Sequence, residues 1–510
     1  MKDARLKPWL GTFALLFLAA LDLPAEPIQP PPPAGVSAAD AYHRQAIAKA
    51  EASVAQARAA VEKDPNRPAY HFQAPAYWMN DPNGPIYYQG EYHLFYQHNP
   101  YGENWGHMHW GHAKSRDLVH WQHLPIALAP SEDQGEEHCF SGSVIVDENG
   151  IPRAFYTSIG PDTPAYDGAV QWMAYSGDGM QTWTKYPGNP VLTEDLHGDL
   201  KILDWRDPYV WREKNAWYVV LGGHPKDGRG AAFLYQSPNL VDWKFLNILY
   251  QSKPEDQEGN WECPNFFPLG DKRVLVYSPH NLVRYYTGDL LPDYSFQPDF
   301  HGILDYSPNF YAPNCLEDGR SRRILWGWIR DVKGPGWNGA FTLPRLLTLR
   351  PDGRLGMEPA PEIEMLRRSY QKIENQTIAS RSIILDERET GCVEIRAVFE
   401  PGEAESFGLR LRPATDSETA VPLTWNRAAK QMTIGGRTFD FDWLEGEKTL
   451  DLRVFVDKLI VEVYLNRRAG CTLVVPEMRP DHLRIEGLAE NGPVRLVSFE
   501  TWEMQPTGER

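Results

Sequence analysis

"SRDLVHW" (Ser115–Trp121) returns as "SGDGMQTW" (Ser176–Trp183) and again as "SPNLVDW" (Ser237–Trp243). Each copy reads as a serine, a turn, then a strand that opens at tryptophan. Trp121, Trp183 and Trp243 fall about sixty residues apart. Between them, short runs rich in Tyr, Trp, Val and Ile alternate with clusters of Gly, Pro, Asn and Asp, the pattern of many short strands. A fixed period with several strands per unit is the mark of a propeller, and residues 70–350 have room for four or five such units. The plainer alternative is a chance repeat inside a β-sandwich.

Outward from this repeat, the chain changes character on both sides. "EPIQPPPPAG" (26–35) is an extended proline-rich linker. "SAADAYHRQAIAKAEASVAQARAAVEKD" (37–64) is alanine-rich and predicts a helix capped by Ser37 and Asp40. Its apolar residues are small, so it reads as a weakly anchored spacer without chemistry. Past the repeat, "LRPDGRLGMEPAPEIEMLRRSY" (349–370) reads as a loop and short helical connector. "LDLRVFVDKLIVEVYLN" (450–466) and "PVRLVSFETWEM" (493–504) then alternate as strands, which predicts a separate β-sandwich. The expected organisation is a signal peptide over 1–25, linker and helix over 26–68, propeller over 69–352, connector over 353–374 and sandwich over 375–510. The fold class is all-β with a short N-terminal helix.

Three acids sit in matching contexts within the repeat region. "WMNDPNG" (Trp78–Gly84) places Asp81 at the first position of a type I turn signature, with proline second and glycine fourth. "WRDPYVW" (205–211) places Asp207 between Arg206 and a proline, and "NWECPNFF" (260–267) places Glu262 after Trp261 with Pro264 close behind. A turn cap accounts for Asp81 taken alone. The three together do not reduce to that, because their spacings approximate two periods and one. Equivalent positions in successive units converge on a propeller axis, where like charges raise one another's pKa. Such an arrangement points to a functional site. Retaining glycosidic cleavage needs one ionised carboxylate and one protonated acid. Glu262, beside Trp and Cys-Pro, is expected to be pushed up as the acid, while Asp81, held by a turn, is expected to stay ionised.

At these residues the sequence resembles glycoside hydrolase family 32, the invertase, inulinase and levanase family of β-fructosidases, over about 70–505. "WMNDPNG", "RDP" and "EC" carry the resemblance, supported by "WGHMHWGHAKSRDLVHW" (105–121), "CFSGS" (139–143), "FYAPN" (310–314) and "LPR" (343–345). The resemblance implies a five-bladed β-propeller followed by a C-terminal β-sandwich. It implies Asp81 as nucleophile, Glu262 as acid/base and Asp207 as transition-state stabiliser. It further implies that Trp78, Asn80, Gln97, Trp105, Phe140, Ser141, Arg206, Tyr311 and Trp328 bind the fructosyl unit, without cofactor or metal. The chain departs from the family at Asn265, Ser307, Asn309, Asn314 and Tyr464, none of them among the acids. Fructosyl transfer to a second sugar and a propeller that only binds glycans are the alternative readings.

Composition narrows the classes further. The net charge of -17 argues against a nucleic-acid partner and favours a neutral or cationic substrate over a phosphorylated one. No P-loop or dinucleotide-binding glycine pattern is present. Five cysteines are too few for a disulfide framework, and no CxxC pair suggests zinc. His107, His109 and His112 read as hydrogen-bonding strand histidines in preference to a metal site. Lys2, Arg5 and Lys7 followed by "WLGTFALLFLAAL" read as a secretory signal, too short for a comfortable membrane span, with a retained anchor as the alternative. The expected location is secreted or periplasmic, with no membrane segment in the mature chain.

Overall fold

The computed structural model describes residues 37–161, 168–379, 381–413, 419–478 and 481–508. The expected signal peptide and proline-rich linker lie outside the described residues. No described helix is long and apolar enough to cross a membrane.

Helix α1 (Ala38–Val61) starts where the sequence places it, with Ser37 and Asp40 forming a reciprocal capping box. It is anchored more firmly than its small apolar side chains suggest. Val54 and Val61 pack against Ile329, Val332 and Trp337, and against Leu459 and Ile460 of the C-terminal region. Two backbone amides, of Ile126 and Ala129, donate to Glu51 Oε1 (2.6 Å) and His43 Nε2 (3.1 Å) of the helix. Polar side chains supply the anchorage that the alanine-rich composition conceals.

Residues 77–359 form four hydrogen-bonded sheets. Three are four-stranded meanders, and the fourth has nine strands. A short parallel pairing, Tyr77 to Trp337 and Trp78 to Asn338, joins the start of this region to its end. The repeat is physical. In each copy an Asx side chain (Asp117, Asp178 or Asn239) accepts two backbone amides. A positive φ follows at Leu118, Met180 and Leu240, and the chain turns into the outer strand of its sheet.

Five strands form the inner layer of this region: β1 (Tyr77–Tyr88), β2 (His138–Val146), β3 (Ile202–Glu213), β4 (Glu262–Leu269) and β5 (Phe310–Glu317). They pack in a closed ring, each against the next and β5 against β1. Every one carries the same irregularity: three steps along the inner strand oppose two along its partner. The slips fall at Met79–Pro82, Cys139–Gly142, Arg206–Tyr209, Glu262–Asn265 and Tyr311–Asn314. A bulge bends the strand and re-aims its side chains. Proline, lacking an N–H for the ladder, is tolerated there, and Pro82, Pro208, Pro264 and Pro313 sit at four of the five. Positive φ at Asp207 (64°), Cys263 (47°) and Ala312 (45°) marks the kink.

The C-terminal region is a sandwich of two six-stranded sheets. Alternating residues such as Val393, Ile395, Leu409, Leu423 and Val454 fill its core. The connector expected over 353–374 is mostly strand. Leu355–Pro359 pairs with Arg345–Leu349, one 3-10 helix spans Pro361–Leu366, and Arg367 opens the long strand Arg367–Ile378 of the sandwich. Prolines 359 and 361 break the ladder at this short 3-10 helix. The sandwich is clamped to the ring by a buried polar cluster. Asp457 accepts the amides of Ala69, Tyr70 and His71, and Glu462 pairs with Arg345 and His71.

Candidate active site

The bulges place the three acids at one end of the ring. Asp81, Asp207 and Glu262 line one cavity of about 400 Å³ together with Asn80, Gln97, Trp105, Phe140, Ser141, Arg206, Tyr311 and Trp328. Trp78 stands behind this wall. Its indole Nε1 donates to Asn80 Oδ1 (2.7 Å), and its ring meets that of Trp328 edge-on at 5.8 Å. It positions the lining instead of forming it.

Asp81 is held by uncharged donors. Ser141 Oγ donates to Oδ2 at 2.6 Å, Asn80 Nδ2 to Oδ1 at 3.0 Å, and the Cys263 thiol reaches Oδ2 at 3.5 Å. Burial pushes its pKa up, against the pull of Ser141 and Asn80, and the charge of Glu262 adds to the rise. Asp207 accepts the Cys263 backbone N–H at 2.8 Å and the same thiol at 3.5 Å. Burial raises its carboxyl to about 7 despite the neighbouring Arg206. One thiol therefore lies between two carboxylates, a placement no motif in the sequence marks.

Glu262 departs from expectation. Burial pushes its pKa up, but the Arg206 guanidinium outweighs it, helped by His280 and the Tyr311 hydroxyl, so the carboxyl titrates below its ordinary range. Arg206 Nη2 donates to Oε1 and Tyr311 OH to Oε2. Arg206 is itself steadied by Asp204, whose Oδ1 accepts Nη1 at 2.7 Å. The neighbours that were expected to raise Glu262 face elsewhere: Trp261 is fully buried and stacked on Tyr277, and Cys263 faces the aspartates. Successive strand residues point to opposite sides, so adjacency in sequence is not adjacency in space.

The remaining lining is aromatic and amide-rich. Trp105, 52% exposed, lies at the rim against His138 and Phe140. Gln97 Nε2 donates to Ser141 Oγ (3.3 Å), which extends the network behind the Asp81 carboxylate. His280 and Arg330 also line the cavity and carried no motif in the sequence. Arg330 lies over the rings of Tyr311 and Trp328, at 5.1 and 5.5 Å. Of the histidines in "HMHWGH", His109 bonds the His107 carbonyl and His112 bonds His93 (3.0 Å). The five cysteines are buried and none is in a disulfide.

A cavity holding one carboxylate among neutral donors and another beside a guanidinium and a phenol suits acid–base and nucleophilic work on one substrate. Comparison with known proteins agrees. Residues 71–359 match the model described as glycosyl hydrolases family 32 N-terminal domain, and 362–503 match the family 32 C terminal model. A sucrose-6-phosphate hydrolase of Escherichia coli is 33% identical over 464 residues, covering 86% of this chain and 94% of the relative. A levanase of Bacillus subtilis is 35% identical over 491 residues, covering 85% and 69%. Among solved structures, a GH32 beta-fructofuranosidase of Bombyx mori superposes with a TM-score of 0.78 at 30% identity, covering 91% of this chain and 99% of that one. Ring, sandwich, cavity and relatives agree, and the chain belongs to glycosyl hydrolase family 32.

Proposed function

We propose that the protein hydrolyses β-D-fructofuranosidic bonds, in sucrose and in fructans, through a covalent fructosyl-enzyme with retention of configuration. The observation that carries this reading is the unequal environment of two acids in one cavity: Asp81 among neutral donors, Glu262 beside Arg206 and Tyr311. The fructosyl anomeric carbon sits over Asp81, oriented by Ser141 and Asn80. Glu262 protonates the leaving oxygen as Asp81 attacks. The bond from carbon to the leaving oxygen breaks, and an ester to Asp81 forms. Attack removes the negative charge of Asp81, and Glu262, which has given up its proton and is held ionised by Arg206 and Tyr311, takes one from the water that displaces Asp81 and releases fructose. Asp207, protonated below about 7, hydrogen-bonds the sugar hydroxyls. Its ionisation adds a further negative charge to the site, so activity is expected to fall as pH rises past about 7. The ring of five inner strands supports counting the two ends of the nine-stranded sheet as separate blades, five in all. The basic start and apolar run read in the sequence as a signal peptide over 1–25 support a secreted or periplasmic enzyme.

The test is incubation with sucrose, inulin and levan, with product analysis by chromatography and NMR of the first anomer released. Free fructose formed with retention is the expected result. Fructo-oligosaccharides as the main product at high sucrose would make the enzyme a transferase, and sugar binding without any product would overturn catalysis altogether.

A further inference from the structure

Helix α1 lies outside both matched segments, 71–359 and 362–503, and catalysis makes no use of it. One stripe of the helix, His43, Ala50, Val54 and Val61, is buried. A second stripe at helical spacing, Tyr42, Gln45, Ala46 and Lys49, faces a groove of about 420 Å³. The opposite wall of that groove is Tyr101 and His107, from the segment joining Glu91–Asn99 to His109–Ser115. This segment also carries Trp105, which lines the catalytic cavity. Groove and cavity thus both take lining from one short loop.

The loop is pinned. Asn99 Nδ2 donates to the Asn104 carbonyl (2.8 Å), Asn338 Nδ2 to the Glu103 carbonyl (3.0 Å), and the Gly336 amide to Glu103 Oε2 (2.7 Å). Tyr101 and His107 meet edge to face at 5.9 Å, and Lys49 Nζ lies 5.4 Å from the Tyr101 ring centroid. Flat aromatic faces alternating with donors and acceptors are what a chain of sugar rings requires. One lysine and one glutamate, Lys49 and Glu132, leave the groove without a dominant charge, which favours a neutral chain. Tyr101 and Trp105 are four backbone steps apart, at most roughly 14 Å when extended, a span that a few sugar units cross.

From this arrangement we propose that the groove between α1 and the 100–108 loop is a distal subsite for the body of a β-fructosyl chain whose terminal unit occupies the catalytic cavity. The inference rests on the β-fructosidase reading and adds to it a preference for chains over sucrose. The chain leaves the cavity across Trp105 and lies along Tyr42, Gln45 and Tyr101. Sucrose ends before the groove and is indifferent to it.

The experiment measures kcat/KM on sucrose, on inulin-type oligosaccharides of rising length and on levan, for the wild type and Ala46→Trp, which fills the groove from the helix. In the wild type, kcat/KM rises with chain length. In the variant it is flat, about five- to tenfold lower on long chains and entirely through KM, with sucrose unchanged. Tyr42→Ala, which removes a face without adding bulk, shows the same split and serves if Ala46→Trp does not fold. Equal losses on sucrose and on chains would make the helix a brace for the Trp105 loop and overturn the subsite. So would an unchanged chain-length dependence. A wild type inactive on every one of these sugars would instead defeat the β-fructosidase reading itself.

Discussion

Two clusters of buried acids, one between ring and sandwich and one at the cavity floor, differ in what faces them. In the clamp between ring and sandwich, charge meets charge. Glu462 binds Arg345 Nη2 (2.7 Å) and His71 Nε2 (2.9 Å), Asp457 binds His71 Nδ1 (2.8 Å), and Asp305 binds Arg345 Nη1 (2.9 Å). Burial alone would raise Glu462, but Arg345 and His71 hold it down to about 2. Burial would likewise keep His71 neutral, but its bonds to Asp457 and Glu462 raise it to about 9. At the cavity floor, Asp81 and Asp207 face hydroxyl, amide and thiol donors, and both titrate above their ordinary range. Each cluster has one exception: burial raises Asp305 despite Arg345, and Arg206 holds Glu262 low. Glu462 and Asp457 in the clamp are compensated by charge, while Asp81 and Asp207 at the floor are not.

The sharpest way to break that comparison is to neutralise one acid in each cluster. Asp81→Asn should lower turnover of sucrose by about 10⁴-fold or more while leaving the melting temperature at or above that of the wild type. Glu462→Gln should do the reverse. It leaves Arg345 and His71 short of a counter-charge, which costs about 3–5 kcal/mol, yet turnover measured well below the melt stays within about twofold. A destabilised Asp81→Asn or an inactive but stable Glu462→Gln would mean that the two clusters are not divided by role.

Stability against pH sharpens the contrast further. His71 has its folded pKa raised from 6.5 to about 9, so its contribution is complete below about 6.5 and lost as pH rises through about 9. Glu462 has its folded pKa lowered from 4.5 to about 2, so its contribution is complete above about 4.5 and lost as pH falls through about 2. The clamp is therefore strongest between these limits. Asp207 carries the opposite sign for a carboxylate. Raised from 3.8 to about 7, it costs stability as pH climbs through that window. Asp207→Asn should melt higher than the wild type above pH 7 and no higher near pH 4, while losing most activity at both. A melting difference that does not change with pH would remove Asp207 from the under-compensated set.

The same contrast explains what the sequence could and could not reveal. The acids were legible because each sits in a short motif, and the turn repeat was legible because three copies share Ser and Asx two residues apart, with Trp six or seven residues after the Ser. The bulges were half legible. Pro82, Pro208 and Pro264 were visible beside the acids as stiffeners, and Pro313 completes the set, but only the ladder shows that all four occupy one structural position. The direction of the Glu262 shift was not legible, because its cause is Arg206, 56 residues away. Nor was Trp78 behind the wall, since strand alternation turns on register, and a bulge resets it. His280 and Arg330 reach the cavity without a motif, and the clamp joins His71 to Glu462 across 391 residues.

The smallest expected effect concerns the thiol shared by the two aspartates. Burial keeps the Cys263 thiol protonated far above its ordinary pKa, so it serves as a donor, 3.5 Å from Asp81 Oδ2 and 3.5 Å from Asp207 Oδ2. Removing it leaves Asp81 with Ser141 and Asn80, and Asp207 with the backbone N–H of residue 263. A weak buried hydrogen bond of this kind contributes about 1 kcal/mol, so Cys263→Ala should lose about fivefold in kcat/KM. The loss should be uneven in pH. Without the thiol the ionised form of Asp81 is less favoured, so the acidic limb moves to higher pH and the deficit is largest on that side. Cys263→Ser, which restores a donor at the same position, should recover the limb. A Cys263→Ala enzyme slower by one factor at every pH would show that the thiol only fills space, and that under-compensation at the floor depends on Ser141 and Asn80 alone.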